Sequence, residues 1–496
     1  MATPYGIHIT PTNAGLWDIR QSEEAAQTAS EALQKDLENY HVFLNNMPHH
    51  LLALYGTGAS AANIQKAHGL RHPLQRPVIP QHQDAVKDLI THWDHTSEYL
   101  GKEEHYPDFL AYFQRAIERE GYESAVKAHL LKGDDSANNL LLRLHAGIVH
   151  PLIQLMYGLE WKQPAIVAQA LAQTCVHNVE GLDQLLLAGE QQANATSRST
   201  KMPSLLSMYE NVRADPQLAG SVRMEDTSKV EDGIIQRAKD AMLAILEQVH
   251  VEPEELDERT AEMFHGMILV ASSAAIHPPH HVKYDFFLMH HVNSSLIYLT
   301  FNSQPWLSTA NKVRLLEWKI RLDLVQYVAR GCPAISLESI ESYVPKQPSD
   351  ESVRKIGIRL YDFGDDGHAI KQARATAVCH ELMAEYKDKS WVVLKEDSIW
   401  KKIQHMVVDA VEGPGVLYVR STGFDEAWKV STPPMSVYRC MHVDSNARTS
   451  PTKPRRSDLL PFCALYRLEV VAHQKLSNHI LSNFNSNIEF PLMLTR

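Results

Sequence analysis

Cysteine is scarce in this chain. Its five residues (Cys175, Cys332, Cys379, Cys440, Cys463) are odd in number, widely separated, and form no CxxC pair. That excludes a disulfide framework and a zinc ribbon. Basic excess is also missing: 48 Lys and Arg face 59 Asp and Glu, for a formal net charge of -11. A nucleic-acid or anionic-membrane surface needs clustered basic residues, so neither partner is expected. The apolar stretch Met267 to Ile276 is too short to span a bilayer, which takes about 20 residues. The N-terminus has no basic region followed by an apolar core, so no secretory signal is expected. These absences lead to the expectation of a reduced, soluble, cytoplasmic protein.

Familiar cofactor signals are absent or out of context. No GxxxxGK[ST] phosphate loop and no GxSxG nucleophile elbow occur. Gly56-Thr57-Gly58-Ala59-Ser60-Ala61 fits GxGxxA but follows a helix-like run, where the dinucleotide pattern requires a strand. His380-Glu381 begins like HExxH, yet Ala384 stands where the second zinc ligand belongs.

What is present is helical periodicity. At 496 residues, 44% hydrophobic and 22% charged, the chain has the composition of a globular protein with a large core. His50 to Tyr55, Phe109 to Phe113, Leu140 to Leu155, Ile166 to Leu171 and Leu315 to Val328 carry apolar residues at three-and-four spacing. Ser308 suits a cap for the helix that holds Val313, Leu316 and Ile320. Pro345 and Pro348 mark a loop, and Gln191 to Ser204 reads as a polar loop. Strand-like runs are few, the best being Trp391 to Leu394 and Val416 to Val419. The expected fold is mainly α: one large helical catalytic domain over residues 1–428 with a few short peripheral strands. The segment from Ser431 to Ser457, rich in Pro, Ser, Thr and Arg, offers little apolar surface to offset the entropy of ordering it. An irregular, poorly ordered tail is therefore expected over 429–496.

Histidine is frequent, at 27 copies. His92, His95 and His105 lie in polar stretches and read as solvated surface residues. His150 and His290 instead sit inside apolar runs, Ile148 to Ile153 and Asp285 to His290. A buried imidazole must hydrogen-bond or bind something, since an unsatisfied polar group costs about 1–3 kcal/mol. A satisfied core histidine and a metal ligand both meet that need. His145 would lie about 140° from His150 around a continuous helix, so the two could hardly serve one metal. In Gly367-His368-Ala369-Ile370-Lys371, the histidine and lysine fall one helical turn apart, after Asp365 and Asp366, which suit a helix start. Lys371 could snorkel to water. If buried beside His368 it would favour the neutral amine, able to act as a base or to add carbon dioxide as a carbamate. Imidazoles with carboxylate-type oxygens suit Fe(II), Mn or Zn.

These residues with their flanks resemble the questin oxidase-like family of fungal aromatic-polyketide pathways, over roughly residues 30 to 428. The resemblance is carried by His49-His50-Leu51-Leu52-Ala53-Leu54-Tyr55, by Leu144-His145-Ala146-Gly147 through His150-Pro151-Leu152-Ile153, and by Gln163 to Ala168. It continues through Asp285 to His290, Asn293-Ser294-Ser295 and Gln304-Pro305-Trp306-Leu307-Ser308, and closes with the GHxxK run. It implies an oxygen-using enzyme that cleaves a ring of an anthraquinone-like or xanthone-precursor polyketide with dioxygen. Members are Baeyer–Villiger-type oxidases, some with NADPH, and some look like non-haem iron dioxygenases ligated by several histidines and a carboxylated lysine. Carried over residue by residue, His150, His290, His368 and Lys371 match the ligand pattern for Fe(II), with His368 and Lys371 as the catalytic pair. The sequence departs at Leu44-Asn45-Asn46-Met47-Pro48-His49, where Asn46 stands in place of the family's remaining histidine and His49 is the candidate substitute. Two alternatives follow: a metal-independent, NADPH-assisted oxidase, and a catalytically silent helical scaffold or small-molecule carrier.

Overall fold

Several helices begin where a Ser or Asp precedes an apolar, periodic run. The computed structural model describes residues 1–40, 46–71, 76–195 and 201–431. The helices that carry the polar chemistry run in chain order as α1 (Met47–Thr57), α2 (Gln83–Thr91), α3 (Tyr106–Glu120), α4 (Asp135–His145), α5 (His150–Glu160) and α6 (Pro164–Val176). They continue as α7 (Leu256–Ala274), α8 (Phe286–Asn302), α9 (Thr309–Ala329), α10 (His368–Leu382) and α11 (Asp397–Glu412). Asp134 caps α4 by accepting from the Ala137 N–H, at 2.9 Å. Ser308 caps α9 as expected, accepting from Asn311 N–H at 3.2 Å. Asp285 caps α8 through the N–H groups of Phe287 and Leu288, at 2.8 and 3.1 Å. Such caps satisfy donors that have no partner inside the helix.

Packing places four of these helices around one point. α8 lies against both α5 and α10, and α1 also lies against α5 and α10. α6 backs α5 and is buried from Ala165 to Val176 on every face, which explains its almost wholly apolar sequence. Trp161, Trp318 and Trp400 fill the spaces between helices as fully buried side chains. Among the described residues, no single helix is long and apolar enough to cross a membrane.

The mainly α expectation holds, with three corrections. The periodic stretch Leu140 to Leu155 is two helices, α4 and α5, bent by 68° across Gly147–Val149. Gly147, Ile148 and Val149 all have positive φ, at 56°, 56° and 54°. For the two β-branched residues that is strained, at about 1–3 kcal/mol each, and Pro151 stands in the first turn of the new helix. The peripheral strands do not form: Val392, Leu394 and Val419 are buried, but in irregular segments, and Val419 makes only an isolated bridge to Asp285. The polar loop from Gln191 starts as helix, since Leu186–Ala195 runs into it. The expected tail lies outside the described residues from 432 onward, as do Leu44 and Asn45.

Candidate metal centre

Each of three buried histidines is set by a different local device. His150 is the first residue of α5, and the strained turn before it lets its Nδ1–H donate to Gly147 O at 2.9 Å. Glycine is required at 147, because a Cβ there would collide with the His177 ring. His290 lies one turn into α8 and its Nδ1–H donates to Phe286 O at 2.6 Å. His368 opens α10 and its Nδ1 is held by the Asp366 carboxylate. Asp365 does the capping: its oxygens accept from Gly367 N–H and Ala369 N–H, both at 2.8 Å. Gly367 has φ of 84° and leaves no room for a Cβ against His50.

With the Nδ1 positions committed, the opposite nitrogens face inward. One ring nitrogen from each of His150, His290 and His368 lies within 4.8 Å of the other two. His368 Nε2 stands 3.0 Å from His290 Nε2, and His150 Nε2 has no hydrogen-bond partner. Two Nδ1–H tautomers at that distance set acceptor against acceptor unless a proton or a cation lies between them. Burial pushes His150 down to about 3, helped by the nearby Lys371, and drives His290 and His49 well below the usual histidine range. Burial therefore favours the neutral ring at His150, His290 and His49, which is the form that ligates metals. The donor set fits a transition-metal ion.

Lys371 is 1% exposed, so the snorkelling alternative does not apply. Its Nζ donates to Asn46 Oδ1 at 2.9 Å, and the same oxygen lies 3.2 Å from His49 Nδ1. Asn46 thus stands beside the lysine, at the position marked in the sequence. His49 stacks on Tyr157 and, with centroids 6.2 Å apart, on His150, but it is not one of the three converging histidines. Sequence reasoning missed the aromatic wall: Phe286 packs edge-on against His290 and His368, at 4.7 and 5.5 Å, and Tyr418 against His368 at 5.9 Å. Phe286 lay in the motif that flagged His290, whereas nothing near Tyr418 in sequence signalled the site. Beneath the lysine, Arg374 and Glu160 form a fully buried ion pair. The GxGxxA run forms the C-terminal end of α1, with Gly58 as its cap, and no strand precedes it.

Comparison with known proteins places the chain in a family. The questin oxidase-like family model matches residues 43–376. The chain belongs to the questin oxidase-like family. A protein named questin oxidase, from Aspergillus terreus, is 29% identical over 440 residues, covering 86% of this chain and 98% of its own. The oxidoreductase AflY of Aspergillus parasiticus is 31% identical, with 83% of this chain and 84% of its own covered. The Baeyer-Villiger monooxygenase AacuH of Aspergillus aculeatus is 31% identical, with 82% and 91% covered. His49, His150, His290, His368 and Lys371 all fall inside the questin oxidase-like span, while Tyr418 lies beyond it.

Proposed function

We propose that this protein is an oxygen-dependent oxidoreductase of secondary metabolism that cleaves a ring of an anthraquinone-like aromatic polyketide. The coarse part of that reading, an oxidoreductase, is supported by relatives named as oxidases and monooxygenases. The finer part rests on one observation: three buried imidazoles, each held at Nδ1, bring a ring nitrogen apiece within 4.8 Å of one another. His150, His290 and His368 would hold Fe(II), with Lys371 as a carbamate supplying an anionic oxygen. When bound, the iron supplies oxygen activation and stabilisation of developing oxyanion charge.

The protein's own contribution is binding, orientation and the exclusion of water. Asp366 keeps the proton of His368 on Nδ1 and so keeps Nε2 available. The buried Lys371 amine, as its neutral form, adds carbon dioxide through an N–C bond and gives up one proton. Phe286 and Tyr418 present flat apolar rings suited to a planar aromatic substrate. At 3%, 0% and 1% exposure, His150, His290 and His368 work in a site closed to bulk water.

The test is elemental analysis of anaerobically purified protein beside its His368→Ala variant. Near-stoichiometric iron that vanishes in the variant, together with loss of ring cleavage, is the expected result. Full activity in the variant with unchanged metal content overturns the reading. Metal in neither protein would favour the NADPH-assisted oxidase, detectable by nicotinamide binding, or the silent carrier.

A further inference from the structure

Far from α8 in sequence, a second group of histidines meets around a carboxylate. His82 directly precedes α2 and His105 directly precedes α3, while Asp108 lies in the first turn of α3. Asp108 Oδ1 accepts from the His82 main-chain N–H at 2.7 Å. Its Oδ2 receives both rings, His82 Nδ1 at 2.9 Å and His105 Nδ1 at 2.8 Å. The ring centroids are 5.1 Å apart, and the three donor atoms lie within 4.8 Å of one another. The Asp108 carboxylate is wholly buried, yet its partners are one amide and two imidazoles, and no Lys or Arg among the described residues pairs with it. A buried carboxylate is costly unless a positive partner, an imidazolium or a metal ion, stands against it. Something positive belongs there.

We propose that His82, His105 and Asp108 form a second divalent-metal site, one for Zn(II), that ties the start of α2 to the start of α3. Two imidazole nitrogens and one carboxylate oxygen are zinc donors, and a half-exposed His82 leaves a side open for water to complete the coordination. Zinc bonds of about 2.0–2.1 Å set tetrahedral donors about 3.3 Å apart, so the group spreads by roughly 0.5 Å to take the ion. To ligate, each ring presents its Nδ1 lone pair to the ion and carries a proton on Nε2, while Asp108 supplies a carboxylate oxygen. The charge of the ion then takes the place of the two ring hydrogen bonds to Asp108.

A neighbouring group supplies the internal comparison. Asp88 receives His92 Nδ1 at 3.3 Å and His95 Nδ1 at 3.1 Å, and also the Tyr99 hydroxyl at 3.0 Å. It has the same residue types, but Asp88 is partly exposed and both rings are about half exposed. Water already solvates that carboxylate, and Tyr99 satisfies it further, so it lacks the electrostatic demand that Asp108 has.

The experiment is a zinc titration of the chelator-stripped full chain by calorimetry, with elemental analysis after gel filtration. It is run on the wild type, His82→Ala/His105→Ala, His92→Ala/His95→Ala and His368→Ala. One equivalent of zinc absent from the first double variant alone, and retained in His368→Ala, is the expected result. Zinc-dependent elevation of Tm should vanish with it. His82→Gln, at an exposed ring, repeats the measurement without disturbing the core should the double variant misfold. The proposal is overturned if the first double variant or His82→Gln binds as much zinc as the wild type. It is equally overturned if the second double variant loses the same equivalent. Because iron in the core is read separately, failure here leaves the proposed oxidase function untouched.

Discussion

The interior histidines and the peripheral ones are the same side chain under opposite electrostatic instructions. Inside, His150 and His290 give their Nδ1 protons to main-chain carbonyls, and burial holds His150 down at about 3. Outside, His92 and His95 lean on a carboxylate, and the Asp88 hydrogen bond pulls His95 above its ordinary value. A carbonyl fixes a tautomer without favouring a charge, whereas a carboxylate favours the imidazolium. Burial thus favours the neutral, ligating ring at His150 and His290, whereas the carboxylate beside His95 favours its charged form. His368 stands between the two cases, buried like the first and carboxylate-held like the second.

The largest expected break in this contrast comes from removing an interior ring. His368→Ala should abolish ring cleavage and empty the centre of iron, whereas His95→Ala should leave both unchanged. Asp366→Asn sharpens the comparison, because it removes the charge and keeps the shape. Loss of such an orienting partner costs about 10–100-fold in metal affinity. A competition titration against a coloured chelator would read it, and an unchanged affinity would show that the carboxylate does not tune His368.

Much of the interior site was legible in the sequence, for a simple reason. A histidine inside an apolar helical run, as at His150 and His290, has few explanations, and the i, i+3 spacing of His368 and Lys371 puts both on one face. The break at Gly147–Val149 was not legible, because the apolar period runs through it and the turn depends on strained φ angles that tertiary packing holds in place. The supposed strands Trp391 to Leu394 and Val416 to Val419 misled because short β-branched runs signal burial as much as they signal a ladder. Buried they are, but as irregular chain packed on helices. The solvated reading holds for the exposed His92 and His95 but not for His105, whose ring is largely covered and leans on Asp108 three residues away. The polar setting hid the fact that Asp108 is buried.

Ion pairs repeat the contrast between interior and surface. Arg374 and Glu160 are buried beneath the centre, and Glu160 also accepts the Leu16 N–H at 2.9 Å. Arg374→Met strands a buried carboxylate, which should cost about 3–5 kcal/mol in urea unfolding. Lys66→Met, which breaks the exposed pair with Asp362, should cost no more than about 1 kcal/mol. Equal costs would mean that water reaches Glu160.

Acid should act on the interior next. His129, His145 and His265 lie away from the centre and are each pushed down to about 4 by burial. Between pH 6.5 and about 4, the unfolded chain takes up protons at these rings that the folded chain refuses. The stability present above pH 6.5 is thus lost as pH falls, by at most about 1.4 kcal/mol per unit for each ring. Urea midpoints measured from pH 7.5 to 5 should drop steadily, and His265→Gln should flatten the slope.

The smallest effect is the sharpest test of the peripheral half. His95 owes its elevation first to the hydrogen bond from its ring to Asp88, which desolvation opposes and the charge of the same carboxylate reinforces. Asp88→Asn keeps an acceptor oxygen for the ring but removes the charge, so the His95 midpoint should move down toward 6.5 in an NMR titration. The sign also fixes the stability effect. A raised histidine stabilises the fold below its unfolded pKa, and that contribution disappears as pH climbs through the folded value. The wild type and Asp88→Asn should therefore differ at pH 5.5 and converge by pH 8, the reverse of the interior trend. A His95 midpoint that ignores the substitution would mean that the carboxylate does not govern the peripheral rings, and the contrast with the core would then rest on burial alone.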